Sequence, residues 1–232
     1  MALLLNLLFS VAFAGAVGGA VHLWRVHLDT ARRDGMQALA ARRGWALTVT
    51  DERLGRAGTL RLVPRGGLPW IAEARPAIGP TGRPVTAYEA EEPAWSEGTL
   101  VLVAAIPDLP ILSVPESPPG APRPVPSPSR DRILRDLLGE ELARQSAHLN
   151  PVEAPAGMTA LAEGEPSLRV DLGILSQAMR GFVPVGPGPK GRPILILGAE
   201  GLRLRLRQPI KRPEQMERFL DLAFELSRLI GP

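Results

Sequence analysis

The residues best suited to chemistry in this chain are three histidines, a scatter of carboxylates and one glycine triplet. His22 lies inside an apolar run and His27 just beyond it, so His148 is the one imidazole in the remaining sequence. A Ser-His-Asp triad would have to use His148, yet no serine is framed as G-x-S-x-G. His148 reads instead as the end of a helix. With no cysteine, thiolate zinc sites, iron–sulfur clusters, disulfides and cysteine nucleophiles are excluded, and the histidines are too few for a histidine-based metal site. Gly186, Gly188 and Gly191 spell G-x-G-x-x-G, but Pro187 and Pro189 delete two amide donors that would hold a phosphate. That segment leads into a strand and not into a helix, so it reads as a turn. Glu89, Glu91 and Glu92 gather near the end of an extended run, with Glu89 and Glu91 on one face. A divalent cation needs several convergent oxygens, and no loop here has that spacing. The cluster reads as a solvated strand end, and Glu140-Glu141 as a helix surface. The sequence assigns no catalytic residue, no cofactor and no metal ligand, and the expectation leans away from an enzyme.

Charge is the second chemical resource. The net charge is +3, and Lys190 and Lys211 are the only lysines among 27 basic residues. Arginine stays charged at any relevant pH, which accounts for a pI of 10.1 without an anionic partner. The distribution is uneven. Residues 25–65 hold nine Arg against four acids, net +5; residues 66–166 hold seven basic against fourteen acidic, net −7; residues 167–232 hold eleven against six, net +5. Arg203, Arg205, Arg207, Lys211 and Arg212 form the densest basic cluster and the candidate contact for an anionic partner. No Phe, Tyr or Trp interleaves with them, and single-strand binding leans on stacking aromatics, so nucleic acid is not expected.

The elements that carry these residues begin with residues 2–24, ALLLNLLFSVAFAGAVGGAVHLW, which contain no Asp, Glu, Lys or Arg. As a helix they span roughly 34 Å, enough for a hydrocarbon core of about 30 Å. Trp24 sits where an aromatic belt residue belongs. A cleaved signal peptide is the rival reading, but no basic residue precedes the apolar run and the run continues past Ala12-Phe13-Ala14. The expectation is a transmembrane anchor over 1–24. Arg25, Arg32, Arg33, Arg42 and Arg43 follow it, so the positive-inside rule places the soluble region in the cytoplasm. Gly15 and Gly19 form a G-x-x-x-G pair, the candidate contact for a helix homodimer.

Behind the anchor, residues 25–44 read as a basic juxtamembrane helix weakened at Gly35 and capped at Gly44, one rod from bilayer to domain. Residues 45–114 read as a mainly β half, with strands near 45–50, 60–63, 70–74, 85–90 and 99–106 and an edge near 111–114. Residues 115–129 hold seven prolines in fifteen positions and predict an extended linker or insertion. Residues 130–232 read as an α+β half: helices over 129–147 and 168–182, a hairpin around Gly198-Ala199-Glu200-Gly201, and a helix from Pro213 to Ile230. Along the hairpin Leu202, Leu204 and Leu206 take one face and Arg203, Arg205 and Arg207 the other. The expected fold class is α+β, antiparallel strands with amphipathic helices. A two-stranded hairpin is marginal alone, so the halves are expected to pack as one composite domain.

This layout, with Arg43-Gly44-Trp45 as its one local motif, resembles a group of bacterial single-pass membrane proteins of unknown function. The resemblance implies an inner-membrane location and brings no activity, cofactor or catalytic residue. The expected function is a membrane-tethered interaction or scaffold protein whose partners are the lipid bilayer, a second copy of the chain and a protein of unknown identity. The alternatives are an envelope-facing binding module and an enzyme of unrecognised type using carboxylates and arginines.

Overall fold

The computed structural model describes residues 2–50, 58–77, 83–91, 98–104, 135, 143, 149–163, 170–186 and 188–231, with the side chains of 2–12, 25 and 189 not among them. The expected edge strand at 111–114, the proline-rich segment 115–129 and His148 lie outside the described residues, as does most of the helix expected over 129–147. Arg135 and Ala143 are the described residues of that stretch, and both are helical.

Helix α1 runs from Ala2 to Arg43 without a break. It ends where Gly44 takes φ +71, the left-handed cap that glycine adopts without a Cβ penalty. The chain then enters an antiparallel meander: β1 (Trp45–Thr50), β2 (Thr59–Pro64), β3 (Trp70–Arg75) and β4 (Val85–Ala90). Strand β5 (Leu100–Ala104) does not pair with β4. It sits three places along the sheet, beside β7 (Met158–Ala162) and then β6 (Asn150–Val152). The gap is filled later in the chain by the hairpin β8 (Ile194–Gly198) and β9 (Gly201–Leu206). The nine strands form one sheet in the order β1-β2-β3-β4-β9-β8-β5-β7-β6, antiparallel throughout. The hairpin that looked marginal on sequence is therefore central, with strands hydrogen-bonded on both flanks.

That placement explains Gly201. Its φ is +99, and a Cβ there would lie 2.1 Å from the Ala90 carbonyl oxygen on β4. Glycine alone lets the hairpin turn this tightly against its neighbour.

Helix α2 (Leu172–Gly181) and helix α3 (Pro213–Ile230) join the C-terminal part of α1 on one face of the sheet. Asp171 caps α2, its Oδ1 accepting from the Gly173 and Ile174 amides. Pro213 opens α3 where its missing N–H costs nothing. The core between layers takes alternate strand positions: Leu60 and Leu62, Trp70 and Ala72, Leu100 and Leu102, Leu195 and Leu197, and Leu202, Leu204 and Leu206. Met36, Leu39 and Ala40 of α1 and Met216, Phe219, Leu220 and Ala223 of α3 meet them. Near the β1–β3 edge the core is aromatic. Trp45, Trp70, Tyr88 and Phe224 stack with ring centroids 5.4–6.1 Å apart, mostly edge to face. The opposite face carries a smaller apolar cluster of Val101, Val103, Leu161, Ile194 and Ile196, with Ala143 and Leu149 against it.

Candidate functional site

From Phe13 to Trp24, α1 leaves its side chains uncovered by the described residues. Phe13, Val17, Leu23 and Trp24 are 64%, 46%, 70% and 63% exposed, and every described side chain from Phe13 to Trp24 is exposed. A Cβ placed on Gly15, Gly18 or Gly19 would meet nothing within 4 Å. Both members of the G-x-x-x-G pair are thus on open helix surface, free of contact with the domain. Exposed apolar side chains all round a helix are the pattern of a segment that is covered by something else. Among the described residues no helix is long and apolar enough to cross a membrane; the described side chains of α1 begin at Phe13.

The lower half of α1 is fixed to the domain at three points. Gly35 meets the Pro213 ring, where a Cβ would lie 2.7 Å from Cγ. Gly35 is a weak point by helix propensity, and its lack of a side chain is what lets α1 reach the start of α3. Arg32 Nη2 donates to the Ile210 carbonyl at 3.2 Å, and burial pushes the Arg32 guanidinium below its ordinary pKa although Asp29 opposes this. At the far end, Arg43 donates to Glu217 at 2.8 Å and to Asp221 at 2.9 Å, and Arg42 donates to Glu217 at 2.7 Å. The Arg43 hydrogen bond to Glu217, chief among several contacts, raises its pKa. Desolvation pulls the Glu217 carboxyl upward, but hydrogen bonds from Arg43 and Arg42 outweigh it and hold the carboxyl low. The Arg43 guanidinium also lies 5.8 Å over the Trp45 ring. The Arg43-Gly44-Trp45 motif is thereby a structural joint: cation latch, left-handed cap and aromatic anchor in consecutive positions.

The basic cluster of the sequence is split by the fold. Arg203 and Arg205 alternate on the outer sheet face. Arg203 pairs with Glu89 across the strands at 3.8 Å and with Glu200 in the turn. Arg205 is half-buried opposite Ala87 and Ile194, and its pKa is lowered by burial first and by Arg75 second. Arg207 follows at the strand's end, also half-buried. Lys211 and Arg212 lie beyond the strand, exposed, beside the point where α1 crosses Pro213. The five residues do not form one anion site.

A groove of about 840 Å³ opens on the outer face, lined by Arg61, Arg203, Glu89, Glu91 and Glu200 with the Gly66-Gly67 turn beneath. Part of its charge is already matched: Glu73 lies between Arg61 at 3.9 Å and Arg75 at 3.5 Å, and Arg203 faces two glutamates. Such exposed pairs are worth little individually. Among the described residues the groove holds no nucleophile within reach of a base. Glu89 and Glu91 flank it, Glu92 lies outside the described residues, and among the described residues no three His, Asp or Glu side chains could hold a metal ion. No family model, curated protein or solved structure matches the chain.

Proposed function

We propose that the protein is a membrane-tethered interaction or scaffold protein, with residues 2–24 as its single transmembrane helix and the α+β domain on the cytoplasmic side of a bacterial inner membrane. The observation that carries this reading is the uncovered apolar stretch of α1 from Phe13 to Trp24. Exposing a Val, Leu or Phe to water forfeits roughly 1.5–3 kcal/mol each, and Phe13, Val17, Val21 and Leu23 are all exposed. The described stretch from Phe13 is too short to cross a bilayer by itself. Joined to residues 2–12 it gives 23 residues without a charge, about 34 Å of helix. A hydrocarbon solvent for this segment removes the cost, and the arginines that follow it favour the cytoplasmic orientation. The open Gly15 and Gly19 surface supports pairing of two such helices in the membrane.

Fractionation tests the anchor. The full chain is expected to stay in the membrane pellet after alkaline carbonate extraction. Val17→Arg, which costs about 2.5–3.5 kcal/mol at a helix centre, should release a large fraction to the supernatant. Full-chain protein that is recovered wholly in the supernatant would remove the reading. Phosphatase and GFP fusions at the C-terminus test the orientation: a fluorescent GFP and inactive phosphatase are expected, and the reverse pattern would favour the envelope-facing module.

A further inference from the structure

Strand polarity fixes which end of the domain faces the anchor. Helix α1 finishes at Gly44, where β1 begins, and it runs back past Pro213 and Ile210, both just beyond the end of β9. Thr86, at the start of β4, joins the same end: its hydroxyl donates to the Gln208 carbonyl and accepts from the Ile210 amide. Pairing of Arg75 with Val85 and of Ile194 with Arg205 places the end of β3 and the start of β8 there too. This rim of the sheet carries Arg75, Arg83, Lys190, Arg192, Lys211 and Arg212, all exposed. They come from three separate connections, so no linear motif records them. The described acids near this end are Asp29, Asp34, Glu153, Glu214 and Glu73, which pairs with Arg75 at 3.5 Å. The opposite rim presents Glu91, Glu163 and Glu200 around Arg65, and there Arg42 and Arg43 at the end of α1 are paired with Glu217 and Asp221.

We propose that this basic rim is a docking surface for anionic phospholipid headgroups, holding the domain upright against the leaflet from which α1 emerges. The inference rests on the anchor proposed above, and it adds an orientation and a lipid preference that the anchor alone does not require. Arg32 is eight residues below Trp24, about 12 Å along the helix. With Trp24 at the interface, the rim falls within about a Debye length of the headgroups. Each basic side chain near an anionic surface adds about 1 kcal/mol of attraction, a factor of about five in occupancy. The acidic far rim disfavours the inverted pose. The match is to charge and not to a base stack, since the rim's basic residues are not interleaved with exposed aromatics.

The chain contains no cysteine, so single probes can be placed freely. The full chain, reconstituted in nanodiscs, would carry a fluorophore on Val183→Cys, exposed two residues before Val185, which Gln215 ties to the start of α3 at this rim, or on Ala199→Cys, at the far turn. Quenching by headgroup-spin-labelled lipid would be read with and without phosphatidylglycerol. The expected result is quenching of the Val183 probe that is at least about two-fold stronger with the anionic lipid and is lost at high salt, with the Ala199 probe unquenched throughout. Combining Lys190→Glu, Lys211→Glu and Arg212→Glu should abolish the lipid dependence while the chain still enters nanodiscs. The salt dependence of the unreversed chain keeps the test valid if that variant misfolds. Equal Val183 quenching in both lipids, in chain that has entered the nanodiscs, would overturn the docking surface and leave the anchor standing. Chain that fails to enter any nanodisc would overturn both.

Discussion

Helix α1 contains two regions with the same backbone and opposite fates. Residues 13–24 bury no side chain, whereas twelve residues later Met36, Leu39 and Ala40 are 0%, 2% and 2% exposed. The upper region is apolar on every side and carries no charge; the lower is apolar on one side and bears Arg32, Arg33, Arg42 and Arg43 on the others. An amphipathic stripe is satisfied by a sheet, whereas an all-round apolar surface needs a surrounding solvent of its own kind. Under the proposed anchor one helix passes between two environments, and Gly35 and Arg43 mark where the protein environment takes hold.

Truncation would separate the two regions most sharply. Leu39→Ala should lower the domain's unfolding free energy by about 2–5 kcal/mol, the usual cost of a buried leucine, whereas Leu23→Ala should leave it unchanged. Chemical denaturation in detergent, followed by the near-ultraviolet signal of the Trp45–Trp70 cluster, would read both. Equal effects at the two positions would mean that the upper half also packs on the domain.

Alkali should act on the packed region alone. Burial raises the Tyr88 phenol from 10.0 to about 12. Its folded pKa lies above its unfolded one, so the neutral phenol's contribution is complete below pH 10 and is lost as the pH rises from 10 to 12. The loss should be on the order of 2–3 kcal/mol, and Tyr88→Phe should remove that slope from a pH series of denaturation midpoints.

Gly35→Ala sets two effects against each other at the joint. Alanine gains about 1 kcal/mol of helix propensity, but its Cβ would press on the Pro213 ring at 2.7 Å, and overpacking costs about 1–3 kcal/mol. Crowding should win, giving a net loss of about 1 kcal/mol in thermal unfolding. The smallest effect is expected from Arg43→Ala. Its pairs with Glu217 and Asp221 are exposed enough for solvent to screen them, so the change should be below about 1 kcal/mol and should shrink further in high salt.

Much of the layering was legible in the sequence because it is periodic. The 3.6-residue stripe of α3 and the alternation of Leu202, Leu204 and Leu206 define their buried faces directly. Strand order was not legible. Nothing local in Thr99 to Ile106 tells β5 to leave room for a hairpin that lies some ninety residues further along, because that pairing is set by which apolar faces fit together in space. The candidate site shows the same division. The open face of Gly15 and Gly19 could be read from composition, whereas Arg203 and Lys211, close in sequence, part company at the end of β9. The basic rim gathers residues from three connections and became visible only with the sheet's polarity. The role of Gly35 could not be read at all, since a glycine that weakens a helix and a glycine that admits a neighbour have the same sequence signature.

The most direct test of the two-environment account is a single-cysteine spin-label scan along α1 in lipid nanodiscs, comparing collisions with oxygen and with a water-soluble nickel chelate. Labels at 13, 17, 21 and 23 should be oxygen-accessible and shielded from nickel, with nickel access rising past Trp24 and both reagents excluded at 36 and 39. Labels at 13–23 that collide freely with nickel would show an apolar helix standing in water, and would contradict the account.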